Sequence, residues 1–231
     1  MPHASQDCEP PLIKAVLFDL DGTLVDTAPD LVAALNLSLA EHHYPQVTVN
    51  KMRQAASDGS LALVKAAQPN IDETKQVEIQ QGLLRHYAQV NGTHSQMFDR
   101  IPALLDYLDA HSIPYGIVTN KPARFTRPLI EALKLTSRMK TVISGDSTLM
   151  SKPKAAPMLL AAQQIGCAPE NILYLGDAER DLVAAANTHM FGGIAMWGYI
   201  GSDARPQDWP SNFSFQSAQD VMEFLMLERE K

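Results

Sequence analysis

Ala15-Val-Leu-Phe-Asp-Leu-Asp-Gly-Thr-Leu-Val-Asp-Thr27 reads as a buried strand that runs into a pair of carboxylates. Residues 15–18 are a short apolar run with β-branched and aromatic members, the pattern of a strand covered on both faces. The run stops at Asp19, Leu20, Asp21 and Gly22. Side chains two apart on an extended chain share a face, so Asp19 and Asp21 are expected to point the same way. Two ionised carboxylates at the end of an apolar strand repel each other, and burial raises the cost. A shared cation relieves it, and oxygen ligands without a neighbouring His or Cys suit magnesium better than zinc. A bare Asp-Gly would be read as a turn. Asp-x-Asp-Gly-Thr after a buried run argues for a metal-dependent site.

The chain has 231 residues, which suits one large domain or a core with a smaller insert. Its formal net charge is −7, and no Lys/Arg cluster stands out, so nucleic acid and anionic membrane are not expected as partners. Such an acidic protein can bind an anion only through locally placed positive charge. Cys8 and Cys167 are far apart with no CxxC, which fits a reducing compartment and neither a disulfide framework nor a zinc site. No apolar run is long enough for a bilayer span, and residues 1–11 lack the layout of a signal peptide. The expectation is a soluble cytoplasmic protein, monomer or homodimer, with residues 1–11 as a flexible arm.

After Thr27 the periodicity becomes helical. Leu31, Leu35 and Leu39 form one stripe, and breakers at 57–60 and 69–70 divide further helical segments up to residue 95. No strand is expected among them, so 28–96 reads as a helical insert, or cap. From residue 97 onward strands alternate with helices. The expected strands are 15–18, 115–120, 141–145, 171–177 and 193–197, followed by a polar loop over 201–212 and a closing helix over 218–227. The alternation predicts an α/β fold with a parallel sheet, its core formed by 12–27 and 97–231.

In an open α/β sheet, ligands bind beyond the carboxyl ends of the strands. The unusual polar residues of this chain fall there: Asp19 and Asp21 after the first strand, Thr119 and Asn120 after the second, Asp177 after the fourth. Lys152 precedes a helix after the third. Each alone has an ordinary explanation as a cap, a turn or a solvated charge, but together they make a site. Phosphoryl transfer needs a nucleophile, a metal, a cation over the equatorial oxygens and a proton donor for the leaving group. Asp19 can be the nucleophile of an aspartyl-phosphate route, and Asp21 its acid and base. Asp19, Asp21 and Asp177 are the expected magnesium ligands, with Asp181 supporting them from behind. Lys152, Thr119 and Asn120 are the expected phosphate-binding groups, and Lys152 also offsets Asp19.

Four segments carry a resemblance: Asp19-Leu-Asp21-Gly-Thr23, Val118-Thr-Asn120, Ser151-Lys-Pro153, and Gly176-Asp177 with Asp181. In order and spacing they are similar to the four motifs of the haloacid dehalogenase-like hydrolases. The resemblance implies a Rossmann-like core, a helical cap inserted after the first motif, and magnesium-dependent phosphatase chemistry with Asp19 as nucleophile. Dehalogenating members lack an acid/base at the position of Asp21, so the phosphatase branch is implied. Thr119-Asn-Lys-Pro122 resembles the phosphoglycolate phosphatase-like branch. Ser57-Asp-Gly-Ser60, Asn120-Lys-Pro-Ala-Arg-Phe125 and Gly198-Tyr-Ile200 are similar to bacterial N-acetylmuramic acid 6-phosphate phosphatases. Thr188-His189-Met190 departs from the Ala-Gly-Met of many relatives, a difference expected to concern packing.

The expected ligand is a small phosphorylated metabolite, phosphoglycolate or a sugar phosphate. Ser57 and Gly59 in the cap, with Lys121 and Arg124 beside the second motif, are the candidate specificity residues. A phosphomutase shares the nucleophile and would release no free phosphate. A non-catalytic module binding a phosphorylated ligand would not depend on Asp19. His42-His43 reads as a helix end, since no carboxylate or Cys at ligand spacing joins it. Asp26 is expected to cap the following helix.

Overall fold

The structure, a computed structural model, describes residues 12–229. The arm expected over 1–11 lies outside the described residues, as does Cys8. In chain order the elements are β1 (Ala15–Phe18), β2 (Val25–Asp26), α1 (Ala28–Glu41), α2 (Val49–Ala56), α3 (Ser60–Ala67), α4 (Glu73–Val90) and β3 (Gln96–Met97). There follow α5 (Ile101–Ala110), β4 (Tyr115–Val118), α6 (Ala123–Ala132), β5 (Thr141–Ile143), α7 (Ala155–Ile165), β6 (Ile172–Gly176), α8 (Glu179–Ala186), β7 (Phe191–Ala195), β8 (Phe213–Phe215) and α9 (Ala218–Arg229).

Six strands form one parallel sheet in the order β5-β4-β1-β6-β7-β8. The period of two along β1 divides its side chains between two cores. Val16 and Phe18 pack with Leu104, Leu105 and Leu108 of α5 and with Val221 and Leu225 of α9. Ala15 and Leu17 pack on the other face with Met158 and Ala161 of α7 and Ala184 and Ala185 of α8. Helices on both faces explain why β1 is apolar at every position. The chain runs from β1 to β4 and β5 on one side and returns through β6 to β8 on the other. The crevice above β1 is therefore a topological switch point, where α/β sheets place their ligands.

Five strands were expected in the sheet and six form it among the described residues, with β2 and β3 as a separate pair. The addition is β8, whose Phe213, Ser214 and Phe215 pair with Gly193, Ile194 and Ala195. Three residues with an exposed centre carry too little period-two signal to separate from the polar loop before them. Tertiary contacts set the register: Asn212 donates its N–H to the Gly192 carbonyl at 2.8 Å, and its Oδ1 accepts from the Gly192 N–H at 2.8 Å.

The helical insert α1–α4 leaves and rejoins the sheet domain through the antiparallel pair β2–β3. It has its own core, where Leu31, Leu35 and Leu39 of α1 meet Ile79, Leu83 and Tyr87 of α4, and Phe125 and Tyr199 join from the sheet domain. The returning chain is tied by one carboxylate. Asp30 is fully buried and accepts from the N–H groups of Gly92, His94 and Ser95 at 2.8–3.1 Å and from the Ser95 hydroxyl at 2.5 Å. Replacing it with Ala strands four donors, the two of Ser95 buried and those of Gly92 and His94 partly so. Asp30→Ala is expected to cost about 3 kcal/mol or more in chemical denaturation, whereas a loss below about 1 kcal/mol would mean the donors find other partners.

Asp26 does not cap α1. The N-cap position is Thr27, without a side-chain cap bond. Asp26 accepts instead from the Tyr199 hydroxyl at 2.6 Å and pairs with Arg53 of α2 at 2.7 Å. A distant aromatic and a helix of the insert outcompete the local cap. His42 and His43 lie at the end of α1, as expected. Among the described residues no helix is long and apolar enough to cross a membrane.

Candidate active site

Three adjacent strands deliver the polar residues. Asp19 and Asp21 follow β1, Thr119 and Asn120 follow β4, and Asp177 follows β6, with Asp181 in the first turn of α8. Lys152 reaches the same place from the segment before α7. Gly22 makes the turn after β1 possible: its φ is +84°, and a Cβ there would lie 2.2 Å from Asp177 Oδ2.

The centre of the site is a buried lysine among carboxylates. Lys152 Nζ lies 2.8 Å from Asp19 Oδ1, 2.8 Å from Asp181 Oδ1 and 2.8 Å from the Tyr174 hydroxyl. Tyr174 in turn donates to the Val118 carbonyl at 2.8 Å. Burial alone would lower the Lys152 ammonium, but Asp181 and Asp19 outweigh it and hold it above its ordinary value. Burial raises the Asp19 carboxyl, opposed by Lys152 and reinforced by Asp181. Asp177 is pushed up to about 8 by burial, with the charges of Asp19 and Asp181 adding to it.

Asp19, Asp177 and Asp181 each offer a carboxylate oxygen within 4.8 Å of the others. Asp181 already has its partners, accepting from Lys152 and from the Ala178 N–H at 3.1 Å. Asp19 is buried, and its Oδ1 is ion-paired with Lys152 at 2.8 Å. Asp177 is aimed by the Thr23 hydroxyl at 3.2 Å and the Tyr199 N–H at 2.9 Å. Three buried carboxylates with a single lysine in contact, and with Asp177 repelled by the other two, fit a divalent cation. The family and this cluster imply such an ion.

The close carboxylate group does not include Asp21, whose side chain has partners of its own. Asp21 accepts from the Thr27 hydroxyl at 2.5 Å and from Lys121 Nζ at 2.7 Å. Strand β1 ends at Phe18 and the chain turns over Asp19–Gly22, so Asp19 and Asp21 line one cavity with different partners. Asn120 lines the same cavity as Asp19 and Thr119, and its side chain bonds the Lys152 main chain. Its Oδ1 accepts from the Lys152 N–H at 2.9 Å and its amide donates to the Lys152 carbonyl at 3.0 Å. The side chain thus clamps the Lys152 segment against β4. Thr119 faces the site, its Oγ1 accepting from the Lys121 N–H at 3.1 Å.

A cavity of about 440 Å³ lies between the insert and the sheet domain and is lined by Asp19, Asp21 and Thr119 below. Ser57 and Gly59 line it from the insert, and Lys121 and Arg124 from the sheet domain. Sequence reasoning missed Arg180, which lines the same cavity. It donates to the Ser57 carbonyl at 2.7 Å and the Ser57 hydroxyl at 3.2 Å, and lies 3.3 Å from Asp58. The arginine thereby ties α8 to the loop between α2 and α3. Its position between Asp177 and Asp181 was a usable signal, but the partner across the cleft is invisible without the fold.

If the crowded carboxylates hold a metal, two results follow together. Magnesium should raise the melting temperature of the protein and a chelator should lower it. Asp177→Asn, which removes one repelling charge, should melt no lower than the metal-free wild type and lose the magnesium-induced rise. Because Asp177 binds its proton more tightly folded than unfolded, the metal-free protein loses stability as pH rises from about 4 to about 8. The magnesium-induced rise should therefore be larger at pH 8 than at pH 6. An equal rise in the Asn variant would place the ion elsewhere.

Residues 16–192 match the haloacid dehalogenase-like hydrolase family. The chain is 35% identical over 210 residues to a phosphoglycolate phosphatase of Xanthomonas campestris pv. campestris, covering 91% of this chain and 95% of the relative. It is 33% identical over 214 residues to an N-acetylmuramic acid 6-phosphate phosphatase of Pseudomonas aeruginosa, covering 92% and 95%. The crystal structure of a predicted phosphoglycolate phosphatase from Haemophilus somnus superposes with a TM-score of 0.80 at 24% identity, covering 92% of this chain and 97% of that one. That likeness concerns the fold.

Proposed function

Because this chain belongs to the haloacid dehalogenase-like hydrolases, as a phosphoglycolate phosphatase-like member, we propose that it hydrolyses a small phosphate monoester by way of an aspartyl-phosphate on Asp19. The helical insert serves as a cap over the cleft. The observation that carries the reading is the Asp19–Lys152–Asp181 chain of charges beneath a cavity, with Asp177 alongside and Asp21 in the cavity lining.

In this reading an Asp19 oxygen attacks phosphorus and the bond to the leaving oxygen breaks, with Asp21 giving that oxygen its proton. Water then attacks the aspartyl-phosphate, Asp21 takes the proton back, and inorganic phosphate leaves. Lys152 offsets the charge on Asp19 and the equatorial oxygens, and Thr119 offers its hydroxyl to the phosphoryl group. Magnesium, held by Asp19 and Asp177, would supply further charge neutralisation at those oxygens. Asp181 and Asn120 act as positioning residues through Lys152. Asn120→Ala should lower kcat about 10- to 100-fold with a smaller change in KM, because the clamp on the Lys152 main chain is lost. An unchanged kcat would show that the segment holds itself.

The organic part of the substrate occupies the cavity under the cap. About 440 Å³ is in the range of drug-sized ligands and more than a two-carbon acid requires, which favours N-acetylmuramic acid 6-phosphate over phosphoglycolate. The test is phosphate release with magnesium from both compounds and from common hexose phosphates. Dominant kcat/KM on the muramic acid ester is expected. Dominance of phosphoglycolate would overturn the size argument, and no release from any ester would overturn the phosphatase reading.

A further inference from the structure

The cavity is lined by three cations, and two of them are committed within the protein. Lys121 is ion-paired with Asp21 at 2.7 Å, its side chain is only 7% exposed, and the ring of Tyr87 lies over its ammonium at 4.7 Å. Arg180 is held by Ser57 and Asp58. Arg124 differs. It is one of the residues that line the cavity, it is exposed, and among the described residues it forms no ion pair. Its guanidinium lies 4.6 Å over the ring of Phe125, which is itself 4% exposed and packed edge-on to Tyr87. Stacking on an anchored ring restrains the stem and leaves the planar fork open. In a protein of net charge −7, a guanidinium facing a ligand cavity without an acid of its own is an available anion site.

We infer that Arg124 is a specificity-determining residue that binds a carboxylate on the leaving group of the substrate, away from the phosphate. The inference rests on the phosphatase reading and narrows its substrate class to phosphate monoesters of organic acids. A guanidinium pairs a carboxylate through two parallel N–H···O bonds, a geometry that a lysine at the same place cannot supply. Lys121, the other candidate cation of the second motif, is excluded from this task by its burial and its bond to Asp21.

Two substrate pairs set an acid against a neutral partner, the first differing at the carboxylate and the second by the whole carboxylate-bearing lactyl group. Phosphoglycolate compares with 2-hydroxyethyl phosphate, and N-acetylmuramic acid 6-phosphate with N-acetylglucosamine 6-phosphate. The wild type is expected to prefer the acid in at least one pair. In Arg124→Gln that acid-over-neutral ratio of kcat/KM should fall about tenfold or more, mainly through KM, and Arg124→Lys should restore only part of it. Arg124 is exposed, so melting temperatures should match wild type. A wild type that releases phosphate without preferring the acid overturns the inference and leaves the phosphatase reading standing. So does a ratio unchanged in Arg124→Gln, or full restoration by lysine. No phosphate release by the wild type from any of the four esters removes both.

Discussion

Asp19→Asn is expected to lower kcat/KM by on the order of 10⁴-fold or more while leaving the protein folded. An amide has nearly the shape of the carboxylate it replaces but is a far poorer nucleophile toward phosphorus. Stability should not suffer. Asp19 is one of three crowded acids, and Lys152 keeps Asp181 at 2.8 Å when Asp19 loses its charge. In the absence of metal the variant should therefore melt at or above the wild type. The measurement is steady-state phosphate release beside a thermal melt. Retention of more than about one part in a hundred of the activity would move the nucleophile to another group. A folded but inactive variant that still binds substrate would be the expected trap of the mechanism.

Lys152→Met is expected to show the largest loss of stability among the site substitutions, about 3–5 kcal/mol in chemical denaturation, together with loss of activity. Methionine fills much the same volume, so the loss would measure charge and not packing. The Lys152 side chain is 1% exposed and is the cation between Asp19 and Asp181, whose side chains are 4% and 0% exposed. Removing it leaves those acids facing Asp177 with no positive charge in contact. Two observations would separate this account from a general packing effect. Magnesium should recover part of the stability, and the cost of Lys152→Met should shrink in an Asp19→Asn background, because the two positions share one interaction. Equal costs in both backgrounds would show that the ion pair contributes little.

Several positions in the chain show where local reasoning succeeds. The apolar run at β1, the helical stripe of Leu31, Leu35 and Leu39, and the alternation from β4 to β7 depend on burial periodicity, a local property of the chain. The placement of Asp19, Thr119, Lys152 and Asp177 at one edge follows from the parallel connectivity that such alternation enforces. Strand β8 was not legible, since three residues at a sheet edge are registered by Asn212 and β7 and not by their own pattern. Asp26 and Asp30 were not legible either: a carboxylate near a helix start looks like a cap whether its partners are local or, as here, Tyr199, Arg53 and the 92–95 segment.

The division of labour within the site follows the same line. Residue types and their spacing, read from the sequence, determined an α/β sheet with a helical insert, a cluster of acids with one lysine at its carboxyl edge, and the chemistry those groups suit. Only the tertiary structure decided which partner each acid meets. Asp21 meets Lys121 and Thr27 in the cavity wall, Asp181 meets the Lys152 ammonium from the first turn of α8, and the Asn120 side chain clamps the main chain of Lys152. Arg180 joins the insert to the sheet domain across 122 residues of sequence, and Arg124 is left without an acid. Hydrogen bonds and ion pairs act over a few ångströms, so their partners are set by where the fold brings the chain together, and no local pattern encodes that distance.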